Sequence, residues 1–419
     1  MPQTTPAGTL VVGAGQAGVQ LAASLRQLGD PSPITLIGAE PHAPYQRPPL
    51  SKEFLSGSAA AESLTFRIPA WYAEQRIELV TGERIVELTL PGDGRHGLAL
   101  TAGGRALPFA RLALTVGARP RRLDVAGADL DGIHYLRGLD DAIRLRDRMA
   151  AASRVVVVGG GFIGLEAAAA ARAQGKEVTV VEAAERLVGR AVAPVVSEFL
   201  RAAHERRGTT VLLPAEVVGF GGAGRVETVR LAGGRELPAD LVLVGVGVVP
   251  RTELAEHIGL ECDRDIGGGI VVDATARTSD ASVVAAGDCT VLPHPMTGVG
   301  RVRLESVPGA VAQAGIAAAT LLGRSADTRT VPWFWSNQGD LKLQIAGLST
   351  GYDHFDVRGD PDTERFAVLY YRDGELIAVD AVNSPVDYLV VRKALALGRT
   401  LPADKAADPG IPLKTLLVG

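Results

Sequence analysis

Short apolar runs alternate with glycine turns and alanine-rich stretches, and one such pattern occurs twice. Thr9-Leu-Val-Val12 reads as a buried strand, runs into Gly13-Ala-Gly15-Gln-Ala-Gly18 and continues as the helical run VQLAASLRQLG. Arg154-Val-Val-Val-Val158 leads in the same way into Gly159-Gly-Gly161-Phe-Ile-Gly164 and LEAAAAARAQG. Each helix is followed by a second strand, Ile34-Thr-Leu-Ile-Gly38 in the first copy and Glu177-Val-Thr-Val-Val181 in the second. A further apolar strand is expected in SVVAAG, residues 282–287. Near the C-terminus, Phe366-Ala-Val-Leu-Tyr-Tyr371 and Glu375–Val382 flank Arg372-Asp-Gly374 and predict a hairpin, with a helix from Asp387 to Gly398 after it.

The glycine spacing has a mechanical reason. In G-x-G-x-x-G the first glycine makes the tight turn, the second lets backbone approach a pyrophosphate, and the third brings helix close to strand. The helix N-terminus then offers free N–H groups to the anion. Glu40 and Glu182 lie about 20 residues past their turns, where a carboxylate accepts hydrogen bonds from an adenosine ribose. Gly13, Gly15, Gln16, Ala17 and Gly18 are therefore candidates for one dinucleotide, and Gly159, Gly161, Phe162, Ile163 and Gly164 for another. The expected fold class is α/β, with two Rossmann-like dinucleotide-binding domains and a C-terminal α+β domain. Two sites in one chain suggest a relay, with FAD and a nicotinamide as the natural pair. A 2′-phosphate about 4 Å from Glu182 would be repelled by roughly 1 kcal/mol in water and about 4 kcal/mol at intermediate dielectric, which favours NADH over NADPH. Arg186 and Arg190 follow closely and would offset part of this.

Composition narrows the class further. At 419 residues the chain implies two or three domains, and its 47% hydrophobic and 21% charged content is that of a globular protein. Its most continuous apolar segment, Leu241–Pro250, is too short to span a bilayer. The polar lead into Thr9 lacks the parts of a secretion signal, so a soluble, cytoplasmic protein is expected. Cys262 and Cys289 have no CxxC spacing and no histidine nearby, so neither a disulfide framework nor a metal site is expected. The net charge of −4 argues against nucleic-acid binding.

Six segments occur in the order found in one known group: GAGQAG, PYQRPPLSK (44–52), GGGFIGLE (159–166), AAGDC (285–289), RLESVPGA (303–310) and PWFWSNQ (332–338). Through them the chain resembles, over nearly its whole length, the NADH-dependent FAD ferredoxin reductases that serve bacterial oxygenases. The resemblance implies a glutathione-reductase-like plan. An FAD domain comes from residues 1–115 and 246–325, an NAD domain from 116–245, and a C-terminal domain from 326–419 covers the flavin. It implies that Lys52 and Glu166 form the catalytic pair beside the nicotinamide. It further places Arg47, Lys52, Val86, Asp288, Glu305, Ser306 and Val307 at the FAD, and Arg190 and Gly247 at the NAD. Arg137 resembles an arginine that reaches the FAD, a surface arginine being the alternative. Of the two tryptophans in PWFWSNQ, Trp335 is the preferred flavin neighbour, although either fits a core position. One departure is LALTVGARP (112–120), where Val116 separates Thr115 from Gly117.

The implied reaction is hydride transfer from NADH to FAD, followed by single-electron transfer to a [2Fe–2S] ferredoxin supplying a cytochrome P450 or a ring-hydroxylating oxygenase. Related disulfide reductases pass electrons through a cysteine pair near the segment RPPLSKEFL (47–55), which here contains no cysteine. A thiol relay is therefore not expected. An acidic ferredoxin would be drawn by basic residues, for which Arg67, Arg301, Arg303 and Lys342 are the candidates. The short C-terminal domain suggests a monomer. A rubredoxin reductase, an NADH oxidase and a redox-signalling flavoprotein similar to apoptosis-inducing factor share these motifs and remain alternatives.

Overall fold

The computed structural model describes residues 7–92 and 96–417, so the polar lead Met1–Pro6 lies outside the described residues. The chain forms two compact units, each assembled from separated stretches. Of the described residues, the first contains 7–46, 64–92, 96–119 and 249–332, and the second contains 47–63, 120–248 and 333–417.

The first unit is built on a parallel sheet ordered Val283–Ala285, Arg111–Leu114, Thr9–Val12, Ile34–Ile37, Ile77–Val80. Thr9–Val12 is buried along its whole length, as a central parallel strand must be when both faces are covered. The helix Gln16–Gln27 crosses from it to Ile34–Ile37 and packs against the alanine-rich helix Val307–Leu321. Small side chains allow that close approach, and Ala17, Leu21, Leu25, Ala314 and Ala318 share one core with Val11 and Leu36. Of the run at 282–287, only Val283–Ala285 forms strand, at the edge of this sheet.

The second unit contains a parallel sheet of the same design, ordered Thr210–Leu212, Glu177–Val181, Arg154–Val158, Leu241–Val244, Ile133–Tyr135. The helix Phe162–Ala173 follows its central strand. The same unit carries a five-stranded antiparallel sheet ordered Trp333–Gln338, Leu341–Gly347, Glu375–Val382, Arg365–Arg372, His354–Asp360. The expected hairpin forms here, with Asp373 and Gly374 both at positive φ, as a tight two-residue turn between twisted strands requires. The C-terminal helix runs Pro385–Leu397, beginning two residues earlier than expected because Pro385 fits a first helical turn, and Gly398 ends it in the left-handed region. Two Rossmann-like sheets and a C-terminal α+β region are thus present. Among the described residues no helix is long and apolar enough to cross a membrane, and no cluster suited to a metal ion is found.

Candidate nucleotide sites and the Lys52–Glu166 cluster

The two glycine turns share one geometry. Gly13 has φ +112° and Gly159 φ +110°, conformations that favour glycine. A Cβ on Gly13 would lie 2.2 Å from the Thr115 carbonyl oxygen, and one on Gly18 would lie 2.0 Å from the Gly13 carbonyl oxygen. In the second turn the matching distances are 2.5 Å from Gly159 to the Gly245 oxygen and 2.2 Å from Gly164 to the Gly159 oxygen. The middle glycines differ. No described atom lies within 4 Å of a Cβ on Gly15, and at Gly161 only the Gly245 oxygen does, at 4.0 Å. First and third glycines are therefore needed for backbone packing, and the middle one faces open space. Gly15 and Gly161 also begin their helices without a side-chain cap, leaving the first amides for a ligand. Both turns fit a pyrophosphate. Thr115 completes the first, its hydroxyl donating to the Gly13 oxygen at 2.8 Å, so the departure at Val116 leaves the turn supported.

Near the first turn, Gly287 approaches Ala17 closely enough that a Cβ there would lie 3.1 Å from the Ala17 methyl, which places Asp288 beside the helix start. Glu40 follows the second strand and accepts a short hydrogen bond from Tyr45. Ser306 caps the helix Val307–Leu321, accepting from the Gly309 N–H at 3.1 Å. Glu305 pairs with Arg303. Val86 lies half-exposed on a separate three-stranded sheet of the same unit.

In the second unit, Glu182 accepts from the Gly160 and Ala184 N–H groups at 2.7 Å each, which holds it against the turn. Arg186 is turned elsewhere, donating to the Val192 and Gly189 carbonyls at 2.7 Å, so it is not positioned to offset Glu182. Arg190 is exposed and stands next to Gly247. Phe162 packs on Phe334 with ring centroids 4.6 Å apart, while Ile163 is exposed. Phe334 escaped the sequence reading because its partner lies far away in the chain. Trp335 stacks at an angle on Trp333, which in turn lies under the Arg392 guanidinium. Arg47 donates to the Arg137 carbonyl at 2.7 Å, so these two candidates meet.

Glu166 lies within the second turn's helix and is only 4% exposed. The Pro48–Ser51 turn, pre-shaped by two prolines, carries Ser51 and Lys52 to it. Lys52 Nζ lies 2.7 Å from Glu166 Oε2, and Ser51 Oγ donates to the same oxygen at 2.6 Å. Ser336 Oγ donates to Oε1 at 2.7 Å. A buried carboxylate is tolerated when paired and hydrogen-bonded, and here three donors converge on it. Behind Ser336 stand Gln338, whose Nε2 donates to Ser336 Oγ at 3.2 Å, and His204, whose Nε2 lies 2.9 Å from Gln338 Oε1. Burial pushes the His204 ring below its ordinary pKa, which favours the neutral form. None of Ser51, Ser336, Gln338 and His204 was anticipated as part of this cluster.

The two cysteines are free thiols. Burial pushes Cys262 up to about 11 and Cys289 up to about 12, which suppresses the thiolate that exchange chemistry needs. Of the basic candidates, Arg67 is exposed and lies over Trp71, and Lys342 is exposed. Arg301 pairs with Glu261 and Asp263. Arg303 is 13% exposed and bonded to Glu305 and the Gly267 carbonyl, which leaves little of it to offer a partner.

Residues 8–314 match the pyridine nucleotide-disulphide oxidoreductase family and residues 333–417 the reductase C-terminal family. The chain is 43% identical to rhodocoxin reductase of Rhodococcus erythropolis, over 97% of this chain and 93% of that protein. It is similar to the ferredoxin reductase for the CYP199A2 system from Rhodopseudomonas palustris, with TM-score 0.92 and 42% identity over 97% of this chain and 99% of that one. The covalent putidaredoxin reductase–putidaredoxin complex gives TM-score 0.92 and 38% identity over 99% of each chain. The chain therefore belongs to the pyridine nucleotide-disulphide oxidoreductase family, in its ferredoxin-reductase branch, and is an FAD- and NAD(P)H-dependent oxidoreductase.

Proposed function

We propose that the chain takes hydride from NADH onto FAD and delivers electrons singly to a [2Fe–2S] ferredoxin that feeds a cytochrome P450 or ring-hydroxylating oxygenase. Bound FAD supplies the conversion, since a flavin accepts an electron pair and can release it in two steps. The observation that carries the reading is the ion pair between Lys52 and the buried Glu166 on the helix of the second turn, in a chain whose two cysteines are held as thiols. The first turn, with Glu40, Val86, Asp288, Glu305, Ser306 and Val307, holds FAD. Gly159 to Gly164, with Glu182, Arg190 and Gly247, holds NADH. Residues 1–115 and 246–325 form the flavin domain in this reading, 116–245 the NADH domain and 326–419 the cover.

With FAD and NADH bound, Lys52 would supply a positive charge to favour hydride transfer, and Glu166 holds its ammonium in place. Glu182, with Arg186 turned away and Arg190 alone left to offset it, disfavours a 2′-phosphate. Arg67 and Lys342 are the exposed cations offered to an acidic partner, and the paired Arg301 and Arg303 contribute less. The protein acts as a cytoplasmic monomer. Anaerobic titration of the yellow protein with NADH and with NADPH, followed by a [2Fe–2S] ferredoxin or a rubredoxin, tests this. Fast bleaching by NADH and reduction of the ferredoxin are expected. Equal bleaching by NADPH would remove the coenzyme preference, and transfer only to rubredoxin would replace the acceptor.

A further inference from the structure

The bonds behind Glu166 run in one direction. A carboxylate only accepts, so Ser336 directs its single hydroxyl proton to Glu166 Oε1 and has only lone pairs left for Gln338 Nε2. The amide of Gln338 is thereby fixed with Oε1 facing His204, and the ring must carry its proton on Nε2. Each of Ser336, Gln338 and His204 is at most 2% exposed, and they come from the strand Trp333–Gln338 and the helix Pro194–Arg206. A carboxamide in the middle does not pass protons along, so this chain orients without conducting. It also ends on the buried carboxylate of the Lys52–Glu166 charge pair, which a polar network serving only the core would have no reason to do.

We propose that Ser336, held in place by Gln338 and the Nε2–H of His204, is a positioning residue for hydride transfer that aligns Glu166 and, through it, the Lys52 ammonium. This rests on the reading of Lys52 and Glu166 as the pair beside the nicotinamide.

Two measurements on the flavin-loaded protein test it. In Glu166→Gln the amide oxygen must face the Lys52 ammonium, so its NH2 group faces Ser336. Every donor along the chain then turns round, and the His204 proton moves to Nδ1. Nitrogen-15 NMR of labelled histidine, with His204 assigned through His204→Gln, should show Nε2–H in the wild type and Nδ1–H in E166Q. In stopped-flow reduction by NADH, Ser336→Ala should lower the limiting rate about tenfold, the effect of losing one hydrogen bond to a charged group. Its NADH dissociation constant should stay unchanged, and Ser336→Thr should recover most of the rate. Lys52→Ala is measured alongside. If K52A is slow but S336A is as fast as wild type, this inference alone fails. It also fails if S336T is as slow as S336A, or if the His204 tautomer is the same in E166Q. If K52A itself is as fast as wild type, the reading of the pair falls and takes the inference with it.

Discussion

The three glycines of each turn look interchangeable in sequence yet do different work. Gly18 has the Gly13 carbonyl against it, whereas Gly15 faces empty space. Gly15→Val should therefore fold with a melting temperature close to wild type and emerge colourless, because its side chain fills the place a pyrophosphate needs. Gly18→Ala forces helix and turn apart and should cost about 1–3 kcal/mol of stability, as overpacking does elsewhere. The ratio of visible to ultraviolet absorbance and thermal unfolding separate the two, and a yellow G15V protein would contradict the assignment. These glycines were legible because the backbone demands them locally. Thr115, Ser336, Gln338 and His204 were not, since their hydrogen-bond partners lie 102, 170, 2 and 134 positions away, and only the pair two apart is local. A buried polar side chain looks like any other until folding brings its partner to it.

Elements with strong periodicity were read correctly, including both cradle strands, their helices and the Arg372–Gly374 hairpin. No pattern, however, showed that residues 47–63 leave the first unit for the second, because that excursion is decided by long-range contacts such as Lys52 with Glu166. The hairpin also anchors a neighbouring element. Tyr370 on one strand accepts from the Ala193 N–H at 2.8 Å, just before the helix that carries His204, and donates to Asp380 on the other strand. Burial raises the Asp380 carboxyl to about 7. An unfolded aspartate titrates near 3.9, so the folded protein binds this proton more tightly. The stability this group contributes is accordingly full below about pH 4 and is lost as pH rises towards about 7, after which it changes no further. Asp380→Asn keeps an acceptor for Tyr370 and cannot ionise. Its melting temperature relative to wild type should climb between pH 4 and 7 and then level off. A constant offset across that range would show that Asp380 does not titrate there.

At the level of the whole molecule, the family name and the chemistry diverge. The chain has the double nucleotide plan of the disulphide oxidoreductases, but the cysteine pair they use is missing from RPPLSKEFL, and Cys262 and Cys289 are poor nucleophiles. That absence was visible in the sequence. The reluctance of the remaining sulfurs was not, because it comes from burial. With burial raising Cys262 to about 11, its sulfur stays protonated at pH 8. Alkylating poisons such as iodoacetamide, and arsenite, which clamps neighbouring sulfurs, thus have little to seize. Prolonged exposure to either should leave NADH oxidation by this protein almost untouched, and loss of most of the activity would mean that a sulfur takes part after all. Extracts poisoned with these reagents should still show its turnover after their dithiol-cycling enzymes have stopped.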